Sequence, residues 1–115
     1  METIPQYWVI PDIKKEDYIS EQFKRESAQV AIDKVCGRFD VTWTDLIGRS
    51  REARIVEARN ILFYILHKVY KLTSTDTGRF FQRNHATVLS GANRIAGFIE
   101  FDKSYEEEIS KLINN

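Results

Sequence analysis

Proline, cysteine and histidine are scarce in this chain of 115 residues, and each scarcity excludes a class of structure or site. Both prolines, Pro5 and Pro11, lie in the first twelve residues, so no proline interrupts a helix after them. The single cysteine, Cys36, cannot form a disulfide within the chain, and its apolar sequence neighbours predict a buried structural thiol. The only histidines are His67 and His85, which together with one cysteine lack the spacing of a metal site or a Cys–His pair.

Signatures of catalysis and of membrane insertion are missing as well. The sequence has no P-loop glycine motif and no HExxH motif, so we expect no enzyme, no catalytic residue, no cofactor and no metal. No apolar run reaches the length that spans a bilayer, and the first residues lack the basic start of a secretion signal. We therefore expect a cytoplasmic protein with no membrane partner.

The charges are balanced in number but not in position. Seventeen basic and seventeen acidic residues give a formal net charge of zero, which argues against a general polycation. Residues 34–94 nevertheless hold eleven basic and five acidic residues, whereas residues 1–33 and 95–115 are each net negative by three. A basic centre between acidic ends is compatible with one surface that docks onto phosphate. Scattered surface charge would give the same count, so composition alone does not decide between the two.

Apolar residues recur at helical spacing from residue 13 onward, and no segment of useful length alternates as a strand would. The longest periodic segment, residues 53–71, has the broad apolar stripe of a central helix. That stripe consists of Ile55, Ala58, Leu62, Leu66 and Val69. The pattern predicts an all-α fold, a compact bundle of six or seven helices. We divide the chain into an arm with an amphipathic helix (residues 1–27) and a helical domain (residues 28–115).

Capping residues predict where the shorter helices begin. Thr42 followed by Asp45 is a weak acidic capping box, which predicts a short helix that ends at Gly48. A second short helix, STDTGRFF, would be capped by Thr73 or Ser74. Residues 85–101 form the next predicted helix, a break is expected at residues 102–104, and a last helix follows.

A short helix, a tight break at QRN and a second helix together predict a helix-turn-helix, the motif that places the tip of its second helix in the DNA major groove. With Asn84 as the cap, several small or polar side chains project away from the apolar stripe of the second helix. They are Ala86, Thr87, Ser90, Asn93, Arg94 and Gly97. An ordinary two-helix corner with a polar outer face would give the same pattern. From this geometry alone the two interpretations have equal weight.

Four segments in collinear order resemble a known family. They read IDKVCGRF, VTWTDLIG, RSREARIVEARNILFYIL and QRNHATVLSGANRI. The last is similar to the signature "GRDHTTV" of the C-terminal DNA-binding domain of the bacterial replication initiator DnaA, a Trp-repressor-like helix-turn-helix. The resemblance covers residues 28–100, and it raises DNA binding above the two-helix corner.

The resemblance implies a role for each matching position. Arg51 aligns with an arginine that enters the minor groove. Arg59 matches an arginine of the long helix, which either supports a phosphate contact or packs. Arg83 matches the signature arginine that is expected to read guanine. His85 would meet a base edge or a thymine methyl group, and Thr87 keeps the second threonine of the signature.

Other positions on the same surface extend or modify this set. Asn84 stands where the family has aspartate; it keeps the cap but loses the negative charge. Arg49, like Arg54, would contact phosphate, with plain surface charge as the alternative. Ser90 and Arg94 complete the predicted DNA-binding residues on the outer side of the second helix.

Three departures from the family pattern bear on DNA recognition. The glycine pair before the signature arginine is replaced, either by Gln82 in a shortened turn or by Phe81-Gln82. Ser74 and Thr77 stand where the family usually has apolar residues, which predicts weaker packing of the first helix of the motif. Ala86 replaces a threonine and loses its hydroxyl group.

Taken together, these observations predict a stand-alone domain without the family's ATPase that binds double-stranded DNA. Its task would be replication initiation or its regulation, and its origin bacterial or phage-type, with a place at the nucleoid. The alternative is a protein-interaction module that kept the fold and lost DNA readout. Its partner would be another protein, bound through the acidic N-terminal helix at residues 12–26.

Overall fold

A computed structural model describes residues 18–114, with side chains over residues 26–113, and this part of the chain folds into six α-helices without a strand. The helices are α1 (Tyr18–Phe39), α2 (Trp43–Ile47), α3 (Ala53–Phe63), α4 (Ser74–Phe81), α5 (His85–Phe101) and α6 (Lys103–Asn114). The predicted all-α bundle with a helix-turn-helix is confirmed. The predicted arm at residues 1–12 lies outside the described residues, as do most side chains of the acidic segment at residues 12–26. None of the described helices is both long enough and apolar enough to cross a membrane.

The central helix is α3, as its apolar stripe predicts. It continues beyond Phe63 as a π-helical segment over Tyr64–Val69, and Lys71 then turns the chain with a positive φ of 64°. Four of the five stripe residues are buried, and Val69 at the end of the segment is half-buried.

The helix-turn-helix is fastened to this core by aromatic packing. The rings of Phe63 on α3 and Phe81 on α4 meet edge to face with centroids 5.1 Å apart. Trp43, at the start of α2, packs against Phe81 from another side at 5.0 Å. Helix α5 crosses α3 at Gly91, where an added Cβ would collide with Asn60 and Phe63. Aromatic pairs of this kind stabilise a core beyond the area that they bury and so fix α4 on α3. The close contact at Gly91 fixes α5.

Helix caps agree with the sequence prediction. The Oγ1 of Thr42 accepts from the amide of Asp45 at 3.1 Å, and the Asp45 carboxylate accepts from the amide of Thr42 at 2.9 Å. Of the two residues predicted to cap α4, Thr73 takes the role, accepting from the amide of Asp76 at 3.0 Å. The cap of α5 is Asn84, as predicted.

Two details differ from the sequence prediction or refine it. The break predicted at residues 102–104 is too long, because only Asp102 separates α5 from α6. Asp102 suffices because its carboxylate accepts from the amide of Tyr105 and so starts the new helix at once. Helix α1 runs without interruption past residue 27, so the division proposed there falls inside a helix and stays a prediction.

Candidate nucleic-acid interface

The turn between α4 and α5 begins at Gln82, which adopts the left-handed conformation although it is not a glycine. Gln82 has φ 57° and ψ 43°, and its amide donates back to the carbonyls of Gly78 and Arg79. The amide of Arg83 also donates to the Gly78 carbonyl, at 2.8 Å. The turn backbone therefore lies directly on Gly78, where no side chain separates it from α4.

The tip of α5 faces solvent with its hydrogen-bonding groups in a defined arrangement. The Oδ1 of Asn84 accepts from the amide of Thr87 at 2.9 Å and from the Thr87 hydroxyl at 3.1 Å. The Asn84 NH₂ group is therefore free of the cap, and the Thr87 oxygen keeps lone pairs as acceptors. Asn84, His85 and Thr87 are all exposed. A ligand at this tip would meet amide donors, a hydroxyl acceptor and an imidazole.

The outer side of α5 beyond the tip is also exposed. Ala86 and Ser90 face solvent on the first two turns. Arg94 is exposed too, and its guanidinium lies over the ring of Phe98 at 5.5 Å. At ~1.5 Å rise per residue, Arg94 is about 15 Å from Asn84 along the helix axis. Its stacking on Phe98 directs it toward the far end of α5.

A basic loop, residues 48–52, joins α2 to α3 and lies beside the turn of the helix-turn-helix. Arg49 and Arg51 are exposed on it. Between the loop and the turn is a cleft of about 440 Å³. Its lining is Ile47, Arg49, Ser50, Arg51, Val56, Arg59, Gln82, Arg83 and Thr87. Five of these residues belong to the predicted DNA-binding set. The fold brings these five to one place from three parts of the sequence.

The charge of the cleft is of one sign. Four of its lining residues are arginines and none is acidic. A concave surface that carries charge of one sign concentrates the field and attracts counterions of the opposite sign. The cleft is thus suited to a polyanion, although the whole chain has no net charge.

Arg59 lies inside the fold, with only 7% of its surface exposed. Its Nε donates to the Leu46 carbonyl at 2.7 Å, and its Nη2 lies 3.3–3.5 Å from the carbonyls of Asp45, Gly48 and Ser50. Burial lowers the pKa of this guanidinium, and the positive charge of Arg83 lowers it further. Of the two roles that the resemblance left open, packing is the one that this position provides.

Arg83 is half-buried and also points toward the basic loop. Its Nη1 donates to the carbonyls of Phe81 at 3.0 Å and Ile47 at 3.2 Å, and its Nη2 donates to Gly48. Both terminal nitrogens are thus engaged with backbone. A guanine contact by both of these nitrogens would require Nη1, which already donates to two carbonyls, to release one of them.

Two polar residues of the cleft, Ser50 and Gln82, were not among the predicted site residues. Each is a sequence neighbour of a predicted arginine, which is the signal that could have marked them. Across the described part of the chain, no group of three or more His, Cys, Asp or Glu side chains could hold a metal ion. His67 lies apart from the cleft, with its Nδ1 2.8 Å from the Leu72 carbonyl oxygen.

Comparisons with known proteins agree with this geometry. A family model for the bacterial DnaA protein helix-turn-helix matches residues 28–95. The chromosomal replication initiator protein DnaA of Mycoplasma pneumoniae is 35% identical over 95 residues, which cover 81% of this chain and 22% of that protein. The same protein of Mycoplasma genitalium is 32% identical over 95 residues, again 81% and 22%. That of Treponema pallidum is 27% identical over 105 residues, 90% of this chain and 23% of the relative.

The chain thus spans about a fifth of the length of these curated relatives. The family match covers more than half of the chain and includes α2 to α4, most of α5, the basic loop and the turn. The chain belongs to the bacterial DnaA helix-turn-helix family, a family of DNA-binding domains.

Proposed function

We propose that this protein binds double-stranded DNA through the surface formed by the tip of α5 and the basic loop, in replication initiation or its regulation. The observation that carries the proposal is the adjacency of an exposed helix tip to a cleft with four arginines and no acidic residue. A helix-turn-helix places the first residues of its second helix against base edges, and its phosphate contacts fix the register.

The tip of α5 would read the major groove. His85 and Thr87 are exposed on its first turn, and the hydroxyl of Thr87 already donates to Asn84. Thr87 would therefore accept a hydrogen bond from an exocyclic amine of cytosine or adenine, or place its methyl group against thymine. The free NH₂ group of Asn84 would donate to a base or a phosphate. Ser90, one turn further, would extend the contact.

The basic loop would contact the same duplex from the side. Arg51 is exposed and would enter the adjacent minor groove, where narrow segments have an enhanced negative potential. Arg49 would neutralise a phosphate, and Arg94, further along the outer face of α5, would do the same. Arg59 supports the loop from inside.

Binding of a fluorescent duplex, followed by anisotropy, tests the proposal. One duplex would contain the DnaA box, the nine-base-pair origin site that the family resemblance implies as a candidate target, and the other a scrambled sequence, each at two salt concentrations. We expect binding that weakens as salt rises, since phosphate contacts release counterions. Tighter binding to the box would support sequence-specific recognition. Failure to bind either duplex at low salt would contradict the proposal and favour an interaction module that uses residues 12–26.

A further inference from the structure

The C-terminal end of α2 leaves carbonyl groups that its single turn of helix does not satisfy. The last four carbonyls of any α-helix have no partner within the helix, and in a helix of five residues these are nearly all of its carbonyls. Here the acceptors are supplied with donors by two arginines from elsewhere in the chain. Arg59 on α3 donates to Leu46 at 2.7 Å, and Arg83 in the turn donates to Ile47 at 3.2 Å.

The two guanidiniums converge on one atom, the carbonyl oxygen of Gly48. Arg59 reaches it at 3.3 Å, and the Nη2 of Arg83 reaches it as well. Gly48 is the first residue of the basic loop and directly precedes Arg49. The Nη1 of Arg83 also donates, at 3.0 Å, to the carbonyl of Phe81, which is the last residue of α4. Arg83 therefore connects the basic loop to the turn of the helix-turn-helix through its own side chain.

We infer that Arg59 and Arg83 are positioning residues, which hold the basic loop against the turn so that Arg51 and the tip of α5 keep one relative orientation. The guanidinium is suited to this because it offers five donors in a rigid plane, whereas a lysine offers one mobile ammonium group. Hydrogen bonds from charged donors are also stronger than those from neutral ones. The loop and the turn then form one rigid surface.

The consequence for DNA binding is preorganisation, and this part of the inference rests on the proposed function. If the loop were mobile in the free protein, ordering it on the duplex would cost conformational entropy and weaken DNA binding. A loop already fixed by Arg59 and Arg83 presents Arg51 without that cost. The role of Arg83 is then to position another residue, and it differs from the direct guanine contact that the family resemblance implies.

The test uses Arg83→Lys, which keeps the charge and removes the planar fork. In the free protein, the amide of Gly48 donates to Thr44 at 3.0 Å and that of Glu52 donates to Ser50 Oγ at 3.2 Å. We expect Arg83→Lys to speed hydrogen exchange of these two amides about tenfold. The control is Arg79→Lys, the same substitution on an exposed arginine of α4 that is paired with Asp76. It should leave both exchange rates unchanged.

A double-mutant cycle on DNA affinity connects the loop to its function. Arg51→Ala should weaken binding of the box duplex ~10-fold in the unsubstituted chain, and less than ~3-fold in the Arg83→Lys background. In the Arg79→Lys background the full loss should remain. A direct reader of guanine would behave differently: Arg83→Lys and Arg51→Ala would be additive, and preference would be lost at one base pair.

Unchanged exchange in Arg83→Lys, or additive losses of affinity, would overturn the positioning role. Arg83→Gln, with a shorter neutral donor, serves as a second variant if Arg83→Lys does not fold. If the unsubstituted chain binds no duplex, the proposed function fails. The exchange measurement would still decide whether Arg83 holds the loop.

Discussion

Gly78 on α4 lies so close to the backbone of Arg83 that a Cβ at position 78 would overlap the Arg83 carbonyl group. The colliding atoms are backbone, so they cannot move away as the end of a side chain could. We therefore expect Gly78→Ala to push the turn off α4 and to lower the free energy of unfolding by ~1–3 kcal/mol. Urea denaturation followed by circular dichroism would measure this loss.

Gly97 provides the control for Gly78→Ala, because an added Cβ there has nothing within 4 Å. It lies inside α5, where alanine is favoured over glycine by ~0.5–1 kcal/mol. Gly97→Ala should therefore raise the free energy of unfolding. An unchanged or higher stability of Gly78→Ala would show that the turn does not rest on α4 as described.

Gln82 ends α4 in the left-handed region, with φ 57°, a conformation that costs a residue with a Cβ about 1–2 kcal/mol. Glycine adopts it freely, although glycine also gains entropy in the unfolded chain. We expect Gln82→Gly to raise the free energy of unfolding by a net ~0.5 kcal/mol. The control is Asn93→Gly, at an exposed helical position of α5, which should lower the free energy of unfolding. A loss of stability in Gln82→Gly would argue against the left-handed turn.

Thr77 on α4 is fully buried, and its Oγ1 has no hydrogen-bond partner within the described residues. A buried hydroxyl without a partner costs ~1–3 kcal/mol, and valine has nearly the same shape without the polar atom. Thr77→Val should therefore raise the midpoint of urea unfolding. Thr75→Val, on the exposed side of the same helix, should change the free energy of unfolding by less than ~0.5 kcal/mol. Equal effects at both positions would contradict the account of Thr77.

The helices and their caps could be predicted from sequence because each depends on residues close together in the chain. Thr42 lies three residues before Asp45 in a capping box, and Asn84 directly precedes the first residue of α5; the structure confirms both caps. The sequence also predicted the exposed outer face of α5, because the apolar stripe of α5 leaves only one side for the core.

The directions of the arginines could not be predicted in the same way. Arg59 and Arg83 are arginines near the motif, as Arg49 and Arg51 are, and residue type alone does not show which of the four point into the fold. What separates them is the position of the α2 carbonyls, which are 13–36 residues away in the chain and become neighbours only in the folded domain. A pattern of residue types along the chain does not show which distant groups come into contact in the fold.

Cys36 has a predictable response to pH. Cys36 is only half-buried, so the prediction of a buried thiol is wrong in degree. Its partial burial nevertheless raises the pKa of the thiol, and the negative charges of Asp33 and Asp45 raise it further. The thiol of the unfolded chain keeps an ordinary pKa of ~8.5 and therefore ionises first as pH rises. The contribution of Cys36 to the free energy of unfolding is therefore constant below that pH and falls above it. Alkylation by iodoacetamide at pH 8.5 should be slower in the folded chain than in urea. A Cys36→Ser chain should take up no label, and equal rates would contradict the raised pKa.

Arg49 and Arg51 should differ in how their loss changes DNA binding, although both are exposed on the basic loop. If Arg49 contacts a phosphate, Arg49→Ala weakens all duplexes alike and reduces the slope of log affinity against log salt by about 1. If Arg51 enters a narrow minor groove, Arg51→Ala costs ~1–3 kcal/mol on the preferred duplex and less on others. The charge-matched control is Arg38→Ala on α1, whose guanidinium lies 3.7 Å from Glu108 on α6. Anisotropy titrations at several salt concentrations separate the three variants. A loss of affinity for Arg38→Ala as large as that for Arg49→Ala would mean that overall charge, and not this loop, determines binding.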